Sequence, residues 1–304
     1  MRILIAGGSG SIGKALTRSL VKDGHTVTIL SRKPQTSQNN LKGVSFVQWD
    51  GRTTDGWGHV INEMDAVINL TGENIGAGRW TKKRKQLILE SREKPGQALS
   101  AAIQQAKNKP EAFLQVSGVG SYGASESKIF SEESAYGNDF AAGVCKVWEA
   151  STQSVEDVGV RRVVTRLAVV LDGQSGALPR MLLPFRFFVG GPIGSGRQWF
   201  SWIHMQDAIR VIRFLIETPQ AKGTYNVSAI PVTNLQFAKN LGKILHRPSF
   251  FPVPSFAIKL LFGEMGTVIL DGQRVSTNRL EDLGFKFMFP NIENALEEIL
   301  SKKQ

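Results

Sequence analysis

Along this chain of 304 residues, apolar positions come in two rhythms that alternate with one another. Arg2–Ala6 (RILIA) is a short apolar run of strand length. From Lys14 to Lys22 the apolar residues fall at Ala15, Leu16 and Leu20, the spacing of one helix face, and Gly24 stops that pattern. Thr26–Leu30 (TVTIL) reads as a second strand. Further runs of strand character lie at Val44–Trp49, Ala66–Leu70, Phe113–Ser117 and Arg162–Leu171. Between them the sequence predicts a helix from Thr81, its N-cap, to Arg92, with Pro95 ending it or starting the next. Leu99, Ala102, Ile103 and Ala106 then form a helical stripe, residues 125–138 are polar and irregular, and Phe140–Ser151 is helical. Strands alternating with helices predict an α/β fold, a Rossmann-type doubly wound parallel sheet.

The texture changes after residue 171. Gly173–Gly176 is a turn, Leu178–Val189 is apolar with Arg180 and Arg186 inside it, and Gly190–Gly196 is a glycine loop that cannot be helical. Trp199–Ile203 reads as a strand. His204-Met205-Gln206-Asp207 opens a helix with Asp207 as cap and Ala208, Ile212, Leu215 and Ile216 as its apolar face. Thr224–Val227 is a strand, Thr233 caps a helix over 234–246, Ser255–Phe262 is an apolar helix and Ile292–Leu300 an amphipathic one. The expectation is a dinucleotide-binding domain over 1–172 and a smaller C-terminal α/β substrate lobe over 173–304, parts of which return to the sheet, with a cleft between them.

The first strand, turn and helix carry the most chemistry. Gly7-Gly8-Ser9-Gly10-Ser11-Ile12-Gly13 sits between a strand and a helix, with a second strand behind, which is the context a dinucleotide-binding turn requires. Gly7 turns the chain sharply, Gly10 lets a pyrophosphate approach the backbone, and Gly13 lets helix and strand pack closely. The N–H groups at Ser11, Ile12 and Gly13 and the positive end of the helix dipole then face the phosphates. An NAD site usually has a carboxylate at the end of the second strand; here stand Ser31, Arg32 and Lys33, which suit a 2′-phosphate, so NADP(H) is expected. Asp50, after the third strand, is either an adenine contact or a turn residue. Leu70, Thr71 and Gly72 follow the fourth strand and fall beside the cofactor, with Glu73 and Asn74 next, nearer a substrate. Among possible acid–base groups, Glu73 has an amide beside it, Tyr122 lies in a glycine loop, and His204 stands between a strand and a helix. Arg197 closes the glycine loop and suits an anionic substrate group.

Composition narrows the partners. The chain is 41% hydrophobic and 21% charged, ordinary for a globular protein, and no apolar run approaches the ~20 residues of a membrane helix. It starts directly with a strand, so no targeting segment is expected. Cys145 is the sole cysteine, which excludes an intrachain disulfide and fits a reducing, cytoplasmic setting; four scattered histidines offer no metal site. The net charge of +11 invites a nucleic acid or an acidic membrane. The basic residues are nevertheless dispersed, and the densest cluster, Arg79, Lys82, Lys83, Arg84 and Lys85, reads as a solvated helix face. The expectation is a small-molecule substrate, no nucleic acid and no membrane, in a monomer or homodimer.

The glycine turn, the L-T-G of Leu70–Gly72, the strand ending in Ser117 and Trp202-Ile203-His204 resemble extended short-chain dehydrogenases/reductases of the sugar-nucleotide epimerase kind. S-R-K-P at 31–34, N-L-T-G-E-N-I at 69–75, Ser91-Arg92, L-L-P-F-R at 182–186, G-G-P-I-G-S-G-R-Q at 190–198 and G-Q-R-V at 272–275 narrow this further. They resemble an atypical branch, the "epimerase family" proteins related to human short-chain dehydrogenase/reductase family 39U member 1. The resemblance implies that Ser117 polarises the substrate, that Arg92 contacts the cofactor, and that Trp202 lies on the substrate side. Ordinary members use a Tyr-x-x-x-Lys pair as acid and helper. This chain has only three tyrosines, and the fourth residue after Tyr122, Tyr136 and Tyr225 is Glu126, Phe140 and Ala229. Matching the helix on Glu149 puts Ala141 and Cys145 where the pair should be. Two readings remain: an NADP(H)-dependent oxidoreductase or epimerase-like enzyme with a rearranged acid–base set, and an NADP(H)-binding regulatory or scaffold protein without turnover, which the cell-division label of some relatives suggests.

Overall fold

The computed structural model describes residues 1–33 and 41–301. The strands are β1 (Arg2–Ala6), β2 (Thr26–Ser31), β3 (Val44–Gln48), β4 (Ala66–Asn69), β5 (Ala112–Gly118), β6 (Ile129–Phe130), β7 (Arg161–Leu167), β8 (Val169–Leu171), β9 (Trp199–Phe200), β10 (Trp202–His204), β11 (Gly223–Val227), β12 (Val232–Thr233) and β13 (Arg274–Val275). Seven of them form one all-parallel sheet in the order β11-β7-β5-β4-β1-β2-β3. The order reverses at β1, which lies between β2 and β4, so the crevice above β1 is the place where a doubly wound sheet binds its ligand.

Helices cover both faces, as a parallel sheet requires. They are α1 (Ser11–Lys22), α2 (Lys82–Gln105), α3 (Phe140–Ala150), α4 (Leu178–Arg186), α5 (Met205–Glu217), α6 (Asn234–Leu245) and α7 (Ser255–Phe262), followed by short helical turns and a C-terminal helix, Ile292–Ser301. The period of two in β1 sorts its side chains. Ile3 and Ile5 pack with Leu16 and Leu20 of α1 and with Ile212 and Leu215 of α5. Leu4 and Ala6 pack on the other face with Trp57 and with Leu99 and Ile103 of α2. Each such fully buried aliphatic side chain contributes about 1.5–3 kcal/mol.

Four elements differ from the pattern-based expectation. α2 runs unbroken for 24 residues through Pro95, because Ile88 and Arg92 before it and Leu99 and Ile103 after it are all buried on one helix, which outweighs the local cost of proline. The apolar run 162–171 is two strands. The chain leaves the main sheet at Ala168, whose N–H donates to Val227 O, and β8 then pairs in parallel with β10. The run 199–203 divides likewise into β9, paired with β12, and β10. Asp207 does not cap α5. His204 does, its Nδ1 accepting the N–H of Gln206, while fully buried Asp207 accepts from Met288 N, Phe289 N and Arg210 Nη1 and so pins the segment that leads to the last helix.

Candidate active site

The glycine turn lies at the carboxyl end of β1 against the end of β4. Gly7 has φ +83°, and a Cβ there would sit 2.8 Å from Leu70 C and O. At Gly13 a Cβ would come within 2.5 Å of Gly7 O and 2.6 Å of Gly8 Cα, so helix and turn touch through bare backbone. Gly10 differs from both. Its φ of −73° suits any residue, and the nearest atom to a Cβ would be Gly7 O at 3.4 Å. The protein's own packing therefore leaves space at Gly10, as it would beside a ligand. Gly10, Ser11 and half-buried Ile12 meet solvent, and the start of α1 has no side-chain cap, whereas Thr81, Asp139, His204 and Thr233 cap α2, α3, α5 and α6. The helix start is thus left open for an anion.

Two cationic groups flank this opening. At the end of β2, Ser31 is buried and its hydroxyl closes a small turn on the backbone of Lys33. Arg32 and Lys33 are exposed and pair with no carboxylate among the described residues. On the β4 side, the Arg92 guanidinium abuts Gly72, where a Cβ would lie 3.1 Å from Arg92 Cζ. Arg92 is 9% exposed, stacks 4.7 Å over Trp148, donates to Ile88 O, and makes no ion pair with a carboxylate among the described residues. Burial pulls its pKa below the ordinary arginine value. A buried cation with spare donors just past the end of β4 fits a phosphate-bearing group. Leu70 and Thr71 join the two sides, Thr71 being held by Asn69 Oδ1 through its N–H and hydroxyl.

A second polar centre lies at the carboxyl ends of β5, β7 and β11, where Ser117, Arg166 and Asn226 stand side by side in register. Glu149 of α3 comes down onto them. Ser117 Oγ donates to Glu149 Oε1 at 2.6 Å, and Arg166 grips both carboxylate oxygens, Nε to Oε1 at 3.0 Å and Nη2 to Oε2 at 2.9 Å. Tyr136, from the loop before α3, donates its hydroxyl to Oε2. Arg166 also lies 4.8 Å from the rings of both Tyr122 and Tyr136. Burial alone would lower the Arg166 pKa, but the hydrogen bonds and charge of Glu149 outweigh it and raise it. Burial, together with the bond to Glu149, pushes the Tyr136 phenol up to about 12. Cys145, one helical turn before Glu149, is buried with its thiol pushed up to about 11, first by burial and then by the charge of Glu149. The second centre therefore contains a buried, bidentate ion pair with two hydroxyls hung on its carboxylate.

The remaining expected residues each have partners of their own. Tyr122 is buried, stacked on Phe130 at 5.1 Å, with its hydroxyl on Asn226 Oδ1 at 2.6 Å, and burial raises its pKa; it packs in a small core of its own. Glu73 pairs with Arg84 at 3.2 Å, and Arg84 also donates to Asn74 O, so both residues are strapped to the first turns of α2. This corrects the reading of the 79–85 cluster as a solvated face: Arg84 points inward, Arg79 donates to Leu260 O, and Lys85 pairs with Glu264. Asp50 closes a turn. Its Oδ1 accepts from the Arg52 and Thr53 N–H groups and its Oδ2 from the Thr53 hydroxyl, and the two backbone bonds lower its pKa. His204 is buried, capping α5 with Nδ1 and bonded through Nε2 to Glu298 at 3.0 Å, so the proton rests on Nε2. Trp202 does not reach a substrate surface: it is fully buried, its Nε1 donating to Ile230 O. Arg197 is exposed beside Glu126, and the Gly190–Gly196 loop is laced to the strand-like segment at Phe251 and Val253.

Sequence reasoning missed Tyr136, Arg166 and Asn226. Arg166 had a signal, since a charge inside the apolar run 162–171 demands a buried partner. Tyr136 had none, because it reaches the site from a polar loop.

Comparison with known proteins follows the same lines. Residues 3–228 match the NAD dependent epimerase/dehydratase family, and residues 253–299 match a domain of unknown function. The epimerase family protein YfhF of Bacillus subtilis is 40% identical over 308 residues, covering 100% of this chain and 99% of its own. The epimerase family protein SDR39U1 of Bos taurus is 39% identical over 307 residues, covering 99% of this chain and 100% of its own. The crystal structure of human epimerase family protein SDR39U1 (isoform 2) with NADPH superposes with a TM-score of 0.87 at 36% identity, covering 99% of each chain.

Proposed function

The chain belongs to the NAD dependent epimerase/dehydratase family, in its branch of SDR39U1-like epimerase family proteins, and we propose that it binds NADP(H) across β1 and uses it in an oxidoreductase or epimerase-like reaction of a small carbonyl or alcohol. The observation that carries the cofactor reading is buried Arg92, which abuts Gly72 just past the Leu70–Thr71 backbone that touches Gly7 and makes no ion pair with a carboxylate among the described residues, together with the uncapped start of α1. The NADPH in the human relative's crystal structure supports it. Gly7, Gly10, Ser11, Ile12 and Gly13 would take the pyrophosphate, Arg92 a phosphate oxygen, and Arg32 and Lys33 the 2′-phosphate. On this reading residues 1–172 hold the cofactor and 173–304 bring the substrate lobe, with β11 returned to the sheet.

When bound, NADP(H) supplies or takes up the hydride. The chain must move the accompanying proton without a Tyr-x-x-x-Lys pair. Ser117 and Tyr136 both point their protons at Glu149. A substrate hydroxyl placed against Tyr136 would give its proton to the phenol oxygen as the phenol passes its own to Glu149 Oε2. For a carbonyl substrate the same path runs backwards, ending with the proton on the substrate oxygen and Glu149 ionised. Arg166 holds the carboxylate in place for both directions.

One observation favours the second reading, cofactor binding without turnover. Both hydroxyl protons are already committed to a carboxylate that Arg166 holds by two bonds. The deciding experiment is titration with NADPH and NADH, followed on the same sample by loss of reduced-cofactor absorbance across a panel of carbonyl metabolites. NADPH preference with turnover that Tyr136→Phe removes supports the enzyme. NADPH binding with no turnover across the panel supports the regulatory protein, and absence of NADPH binding defeats both.

A further inference from the structure

We infer that one face of the C-terminal lobe docks on an anionic lipid surface. Phe187, Phe250, Phe256 and Leu260 each leave 72–73% of their surface exposed, far more than a packed core residue. They form one ridge. Phe187, Phe188 and Val189 end the chain segment after α4 and lead into Gly190, whose carbonyl accepts the N–H of Phe251. Gly194 N–H donates to Val253 O and Val253 N–H to Pro192 O, so the two segments are stitched together. Gly191 leaves no room for a side chain between them, since a Cβ there would lie 2.0 Å from Phe251 O. Pro254 then begins α7, where Phe256 and Leu260, four residues apart, share the outward face beside Leu261. Several aromatic and aliphatic side chains on one rigid ridge exceed what a monomer scatters singly over its surface.

The charge on the ridge selects the occupant. Arg186, Arg247 and Lys259 are exposed and interleaved with the apolar residues, Arg247 lying 4.3 Å over the Phe188 ring. Neither residues 178–196 nor residues 246–263 contain an aspartate or glutamate. A second copy meeting this face about a two-fold axis would bring the same cations to the same apolar ridge; Asp271 faces Lys259, but Arg186 and Arg247 pair with no carboxylate among the described residues. Acidic headgroups neutralise Arg186 and Arg247, while the aromatic and leucine tips enter the headgroup–acyl boundary and the long basic side chains reach back to the phosphates. Arg186, Arg247 and Lys259 are three of the basic residues behind the net charge of +11. No helix of the described residues is long and apolar enough to cross a membrane, so the contact is peripheral.

The test is co-sedimentation of the full chain with phosphatidylcholine vesicles, with and without about one third phosphatidylglycerol. Expected are binding to the anionic vesicles, at least about tenfold weaker binding to the neutral ones, and release as salt shortens the Debye length well below about 10 Å. The double variant Phe256→Asp/Leu260→Asp, both side chains being exposed, should keep the wild-type circular dichroism and melting point and lose at least about tenfold in binding. Failure to bind anionic vesicles, equal binding to both kinds, or unaltered binding by the folded double variant would overturn the inference. So would a concentration-dependent dimer in analytical ultracentrifugation that the double variant abolishes, since the face would then belong to a second copy.

Discussion

Two glycines three residues apart offer a clean dissection of fold and ligand. At Gly13 a methyl group would come 2.5–2.6 Å from Gly7 O and Gly8 Cα, atoms of backbone that cannot rotate away. Such overpacking costs about 1–3 kcal/mol where side chains can yield, and backbone contact puts Gly13→Ala at or above the upper end. At roughly 2–4 °C per kcal/mol for domains of a few hundred residues, its melting point should fall by about 6 °C or more. At Gly10 the same methyl would meet only Gly7 O, at 3.4 Å, with a backbone conformation open to alanine. Gly10→Ala should therefore lose no more than about 1 kcal/mol, the cost of a poorer helix cap. Its NADPH affinity should fall at least about tenfold, equivalent to 1.4 kcal/mol, because the methyl stands where the pyrophosphate approaches. Differential scanning fluorimetry gives the melting points, and NADPH fluorescence titration gives the affinities. Wild-type affinity in folded Gly10→Ala would refute the placement of the pyrophosphate. Equal melting points for the two variants would refute the packing argument.

Arg32→Glu should weaken NADPH binding far more than NADH binding in parallel titrations, since it sets a carboxylate against the 2′-phosphate. Arg92→Met should leave the melting point unchanged or slightly higher, because a buried cation without a carboxylate partner is removed, while NADPH affinity drops about 10- to 100-fold, the worth of one charged hydrogen bond. Glu149→Gln leaves Arg166 buried and uncompensated, and denaturant unfolding should register a loss of about 3–5 kcal/mol. Tyr136 keeps its proton in the folded chain to about pH 12, whereas the unfolded phenol loses it near 10, so its contribution to stability is complete below about pH 10 and is lost as pH rises to about 12. An absorbance titration near 295 nm should show a late phenolate step that Tyr136→Phe abolishes.

The parallel sheet and its glycine turn were legible because both rest on local rules: apolar runs of strand length, helical spacing, and glycines where the chain must bend or touch. Gly7 and Gly13 do the work expected of them against Leu70 and Gly8. What escaped depended on who meets whom. The run 162–171 gives no local sign that Ala168 turns out of one sheet into another, because no glycine, proline or polar residue interrupts Leu167–Leu171. Asp207 has the composition of a helix cap, but its partners are Met288 and Phe289, some eighty residues later. The second polar centre was half visible: Ser117 ends a strand in the expected place, whereas Tyr136 reaches Glu149 from a loop that carries no periodicity at all.

The last strand of the main sheet, β11, is supplied by residues 223–227, more than fifty residues after its neighbour β7. The match to the epimerase/dehydratase family ends at residue 228, just past it. A fragment that stopped at 172 would therefore leave the whole flank of β7 with unpaired backbone donors and acceptors, a ready template for strand addition from another molecule. During synthesis the same flank stays open until the polypeptide beyond Val227 has left the ribosome. The sheet begun by the first 172 residues is thus completed by residues 223–227, and the nascent chain is most exposed to aggregation in the interval between the two.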